Sequence, residues 1–137
     1  MGARRGRVSA VVCGEAVWSA LMEARPAGLS IAQLQLATRL GLSQVRRGLM
    51  HIKEIAALEH ETPLTWSRDV GYQLSGETED WIRYERAQFR MELTRISRLL
   101  SGTIAPHAAA RPEDEFARLL LDQLGGVKAS LTLLTRH

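Results

Sequence analysis

The spacing of residues between Ser30 and Leu74 constrains this chain most. Ser30 can cap a helix, and Gln33, three residues on, completes the pair that bonds reciprocally with the cap. Ile31, Leu34, Ala37 and Leu40 then recur at helical spacing, with Gln33, Gln35, Thr38 and Arg39 between them. Gly41 is placed to end that helix, Leu42 to plug the turn, and Ser43 to cap the next helix. The second helix is expected from Gln44 to about Leu58, with Val45, Leu49, Ile52 and Ala56 on one face.

The other face of the second helix carries Gln44, Arg46, Arg47, Met50, His51 and Lys53. Two adjacent arginines and an amide in a first turn are what a helix entering the major groove needs. Arg can make two hydrogen bonds to guanine, and Gln two to adenine. Beyond it, Glu59–Trp66 and Val70–Leu74 predict two short strands around Ser67-Arg68-Asp69, with Pro63 confining the first to an edge. Helix, turn, helix and hairpin in that order make a winged helix-turn-helix, with Arg68 at the wing tip.

The pattern Leu42-Ser43-x-Val45-x-x-x-Leu49-x-x-Ile52-x-x-x-Ala56-x-Leu58, followed by Gly71-Tyr72-x-Leu74, resembles the winged domains of the ArsR, MarR and PadR groups of bacterial transcription regulators. The resemblance covers residues 14–75. Those families usually close the recognition helix on a glycine, where this chain has Ala56-Ala57. The resemblance implies that Gln44, Arg46, Arg47 and His51 face the groove and Arg68 lies on the wing tip. Ser43, at the start of the second helix, joins them as an expected DNA contact.

Charge is unevenly spread along the 137 residues. Residues 1–76 carry nine Arg or Lys against six Asp or Glu, and residues 77–137 carry nine of each. The net charge of +3 therefore resides in the half with the helix-turn-helix, as an anionic partner would require. Sixteen of the eighteen basic residues are Arg, a skew that fits a GC-rich bacterial genome. The single cysteine, Cys13, rules out an intramolecular disulfide and reads as a small buried hydrophobe. The apolar run Val8–Cys13 behind three arginines is too short for a secretion signal, and no stretch approaches the ~20 apolar residues of a membrane span. A cytoplasmic protein with no membrane association is expected.

The remaining chain supplies an arm at each end. Residues 1–8 hold Arg4, Arg5 and Arg7, a basic arm able to follow phosphates. Residues 9–76 form the DNA-binding domain, opening with a helix between Ser9 and Ala24 that Arg25-Pro26-Ala27-Gly28 ends. Residues 77–137 predict two long helices. The first, Glu77 to Ser101, bears Ile82, Phe89, Leu93 and Ile96 as a stripe. A loop at Ser101–Arg111 follows, broken by Gly102 and Pro106. The second starts at Pro112 and bears Phe116, Leu120, Leu124, Val127 and Leu131, in phase through Gly125-Gly126. Two glycines inside a helix cost about 2 kcal/mol against alanine, so either the helix bends there or another backbone passes close by, and close helix contact is the favoured expectation. Uncovered stripes would leave a large apolar patch, so a homodimer through these helices is expected. The fold class is mainly α with a small β-hairpin wing: a winged helix-turn-helix followed by two long helices.

No phosphate-cradling glycine loop, nucleophile motif or metal-ligand spacing of His and Cys occurs, so neither an enzyme, a metal site nor a cofactor is expected. The acidic runs Glu77-x-Glu79-Asp80 and Glu113-Asp114-Glu115 sit where helix N-termini favour negative charge. The expected function is sequence-specific binding of double-stranded DNA as a transcriptional regulator, a dimeric repressor before an activator. The terminal helices could also enclose a small-molecule effector. The alternative is a winged-helix protein-interaction module, or an architectural protein of plasmid or phage DNA maintenance.

Overall fold

A computed structural model describes residues 9–136. The chain is mainly helical with one small antiparallel hairpin, and it divides into two compact units, Met1–Trp81 and Ile82–His137. The expected basic arm, Arg4, Arg5 and Arg7 included, lies outside the described residues.

In the first unit, α1 spans Ala10–Ala24, α2 Ile31–Thr38 and α3 Leu42–His51. The helical run continues past α3 through a π-helical segment, Ile52–Ala56, and a last turn, α4, Ala57–Glu59. The core lies where these helices meet. Val17 and Leu21 of α1, Leu34 of α2, Val45 and Leu49 of α3, and Ile52, Ala56 and Leu74 are all buried, as the apolar spacing requires. Cys13 is buried with them. Contact between α1 and α3 depends on two glycines. A Cβ on Gly48 would stand 2.6 Å from the Cys13 carbonyl oxygen, and one on Gly14 would enter the His51 ring.

The caps follow the sequence at Ser30 and depart from it at Gly41. Ser30 Oγ accepts from Gln33 N at 3.2 Å, and Gln33 Oε1 accepts from Ser30 N at 2.8 Å, so both halves of the box form. The expected stop at Gly41 does not occur. Helix α2 ends earlier, with Arg39 left-handed at φ 62°. Thr38 drives this: its hydroxyl donates to Leu34 O at 2.6 Å and receives Leu40 N–H at 3.3 Å, closing the turn two residues early. Gly41 instead stands as N-cap of α3, its N–H bonded to Gln44 Oε1 at 2.9 Å. Ser43 is therefore in the first turn and not the cap, and Leu42 is exposed instead of plugging the turn.

The hairpin is shorter than expected. Strand β1 is Thr65–Ser67 and β2 Gly71–Gln73, paired Thr65 with Gln73, Trp66 with Tyr72 and Ser67 with Gly71. Helix occupies Glu59, and Pro63 precedes the strand because it has no N–H to give a ladder. The hairpin is fastened to the segment between α1 and α2. Leu29 and Tyr72 exchange two backbone hydrogen bonds of 2.8 Å, Gln73 Nε2 donates to Pro26 O, and Arg25 Nε donates to Leu74 O. Gly71, at φ 85°, adopts a conformation that disfavours a side chain, and a Cβ there would meet Leu29 O at 2.6 Å.

Helix α5 spans Thr78–Leu99. Its first turn is fixed by Ser75, whose Oγ donates to Asp80 and whose carbonyl accepts from Trp81 Nε1 at 2.8 Å. The expected loop at Ser101–Arg111 is a correction: the chain stays helical through a π-helical segment, Leu100–Ile104, and α6, Ala105–Ala110. Pro106 cannot supply the N–H that a regular turn needs. The widened turn before it, in which Ala105 N–H reaches Leu100 O, makes room for the ring. The second long helix, α7, spans Glu115–Arg136, later than Pro112. Asp114 caps it, accepting from Phe116 N at 3.0 Å and Ala117 N at 3.2 Å. Its other oxygen meets His107 Nε2 at 2.9 Å, pinning the turn between α6 and α7. The Ala117 and His107 bonds hold the Asp114 carboxyl below its usual 3.8. Helix α7 runs unbroken through Gly125 and Gly126, and within the described chain nothing beyond the adjacent residues and the helix's own neighbouring backbone lies within 4 Å of a Cβ at either. The close helix contact expected there is not made within one chain. Among the described residues, no helix is long and apolar enough to cross a membrane.

Candidate nucleic-acid interface

The exposed face of α3 follows from its buried one. Val45, Gly48 and Leu49 are held against α1 and α2. Successive residues turn by about 100°, so Ser43, Arg46, Arg47 and Met50 turn away from the buried side; Ser43, Arg46 and Met50 are exposed, and Arg47 is half-buried and engaged within the protein. Arg46 has no hydrogen-bond or ion-pair partner among the described residues. No carboxylate interrupts Leu42–His51.

Two of the expected site residues also make contacts within the unit. Gln44 is half-buried, and its amide oxygen is committed to the Gly41 N–H. His51 is not aligned with Arg46. Its ring covers Gly14 of α1, on the flank of α3 that faces α1. The seven-residue stripe repeat from Gln44 to His51 puts both on this flank; spacing alone does not say how close α1 comes.

Arg68 stands at the exposed tip of the hairpin, in the turn between β1 and β2, and Val70 N donates to Ser67 Oγ at 3.1 Å to close it. Trp66 is half exposed and tilts against Tyr72 with ring centroids 6.4 Å apart. The bonds from Leu29 and Pro26 to β2 hold the hairpin in place in this unit.

In the second unit the expected contact residues differ in cover. Phe89, Leu93, Ile96, Leu120, Leu124 and Leu131 are partly covered, whereas Ile82, Phe116 and Val127 are exposed. Only Leu100, Ile104 and Ala117 are buried among the described residues of this unit, and Met91, Leu99, Leu119, Leu133 and Leu134 are further exposed apolar side chains.

Sequence spacing missed a groove of about 390 Å³ on the first unit, between α1 and the run from His51 to His60. Its signal was present in Glu15 and Trp18, one turn apart on α1, but its far wall is set by the π-helical segment. Among the described residues, no three His, Cys, Asp or Glu side chains come together as a metal site. No family model, curated protein or solved structure matches the chain.

Proposed function

We propose that this chain is a winged helix-turn-helix DNA-binding protein that acts as a transcriptional regulator. The observation that carries this reading is the Ser43–Arg46–Met50 face. It is exposed, free of carboxylates, and borne on a helix whose opposite side is locked in the core. In this reading α3 enters the major groove with Arg46 and Arg47 directed at bases or phosphates, and the hairpin sets Arg68 against the backbone alongside. Ser43, in the first turn, is placed for a phosphate or base edge. Gln44 and His51 contribute through the shape of α3, the first by its cap and the second by its contact with α1.

The apolar side chains left exposed on α5 and α7 support self-association through the second unit. Two copies would present two α3 helices to a palindromic site with half-sites about 34 Å apart. Occupying a promoter in this way blocks it, which makes repression the expected outcome.

The test is retention of genomic fragments at two salt concentrations, with the retained DNA sequenced. For about six phosphate contacts, binding should fall on the order of 10³-fold from 50 to 200 mM salt. Arg46→Ala with Arg47→Ala should abolish retention and leave the solution mass unchanged. Retention without sequence preference would favour an architectural role. Loss of a protein partner in the double variant, with DNA never retained, would favour an interaction module.

A further inference from the structure

The groove on the first unit has a composition that selects for charge. Helix α1 contributes Glu15 and Trp18, and the opposite wall contributes His51, Ile55, Glu59 and His60. None of the lining residues is Lys or Arg. In a chain of net charge +3, a concave site with two carboxylates and no cation is a local reversal. Trp18 is half-buried and tilts against the His60 ring, with centroids 4.7 Å apart.

The backbone supplies a second, independent observation. Ile52–Ala56 forms a π-helical segment, in which Ala57 N–H reaches back five residues to Ile52 O. Such widened turns inside helices are frequent at functional sites. The widened turn contributes Ile55 and Ala56 to the groove wall, and Glu59 and His60 follow it there. The floor is closed by the His51 ring over Gly14, where any Cβ would collide with it.

We propose that this groove binds an organic cation with an aromatic or aliphatic body, such as an amine or a quaternary ammonium compound. The indole face of Trp18 attracts a cation through its quadrupole. Glu15 and Glu59 neutralise the charge, and Ile55 covers the apolar body. A volume of about 390 Å³ is that of a small-ligand site. The inference does not depend on the DNA-binding reading.

The experiment is an amide chemical-shift titration of the full chain with benzyltrimethylammonium, a permanently charged aromatic probe, beside phenylacetate as its anionic counterpart. Shifts should cluster on residues 11–19 and 51–60 for the cation and be absent for the anion. Glu15→Gln with Glu59→Gln should raise the Kd at least fivefold. Both side chains are exposed, so the substitutions spare the core. Three outcomes overturn the proposal: no clustered shifts up to about 10 mM probe, well beyond millimolar affinity; equal shifts with phenylacetate; or a Kd unchanged in the double variant.

Discussion

Replacing Gly48 by alanine adds one methyl group at the closest approach of α1 and α3. On an open helix the change is favourable by about 1 kcal/mol, because glycine loses more backbone entropy than alanine. At Gly48 the added Cβ would stand 2.6 Å from Cys13 O, 2.8 Å from Val17 Cγ2 and 2.9 Å from Cys13 C. Ordinary contact begins near 3.4 Å, so the helices must separate by most of an ångström, and two of the three obstacles are backbone. Overpacking of this kind costs about 1–3 kcal/mol, and the upper end applies where no side chain can yield. Net of the propensity gain, Gly48→Ala should destabilise the first unit by roughly 1–2 kcal/mol. All three tryptophans, Trp18, Trp66 and Trp81, lie in that unit, so urea unfolding followed by fluorescence reads it directly. With m near 2 kcal/mol/M, the midpoint should fall by about 0.5–1 M. A midpoint that stayed or rose would refute the close approach. The paired variant Gly125→Ala/Gly126→Ala makes the same chemical change in open space. It should stabilise the helix by up to about 2 kcal/mol, measured by circular dichroism at 222 nm. Destabilisation or loss of self-association there would mean that a second copy covers those glycines in solution.

Further outcomes are expected. Ser30→Ala removes one half of a formed capping box and should cost about 1 kcal/mol in the same urea assay. Gly71→Ala places a side chain at φ 85° against the Leu29 carbonyl, and backbone amide exchange at Leu29 and Tyr72 should accelerate strongly. Asp114 is held below its usual 3.8 by bonds from Ala117 and His107, so its stabilisation is full above that value and is lost as pH falls through the lowered one. The stability advantage of the natural protein over Asp114→Asn, followed by thermal melts, should therefore shrink below pH 3.8. Leu120→Asp should reduce the solution mass of the protein to that of one chain, and an unaltered mass would refute association through the arm.

The apolar spacing made the helical core legible in advance. Val45 and Leu49 are buried because a period of 3.6 leaves them no other face, and Ile52 and Ala56 stay buried through the widened turn that they bound. Ser30 and Gln33 were readable because a capping box is local chemistry. Helix ends were less so: Thr38 competes with Gly41 for the stop, and a hydroxyl that bonds its own helix carries no periodic signal. Pro106 reads as a breaker, yet one widened turn absorbs it. Of the candidate site, Arg46 and Arg68 are exposed as expected. The position of His51 depends on Gly14, which is distant in sequence and becomes its neighbour only once α1 and α3 cross. The far wall of the groove was unreadable for the same reason, although Glu15 and Trp18 on α1 share a face.

The bonds that fasten the hairpin have a kinetic consequence. Gln73 to Pro26 and Arg25 to Leu74 close loops across 47 and 49 residues, and α2 and α3 lie inside those loops. Closing loops of that size carries an entropic barrier that local helix formation does not offset. The barrier falls once α2 and α3 have condensed, because the intervening chain is then short and stiff. The helices should thus assemble early and the hairpin dock late. A destabilised hairpin should chiefly speed unfolding and leave the refolding rate almost unchanged.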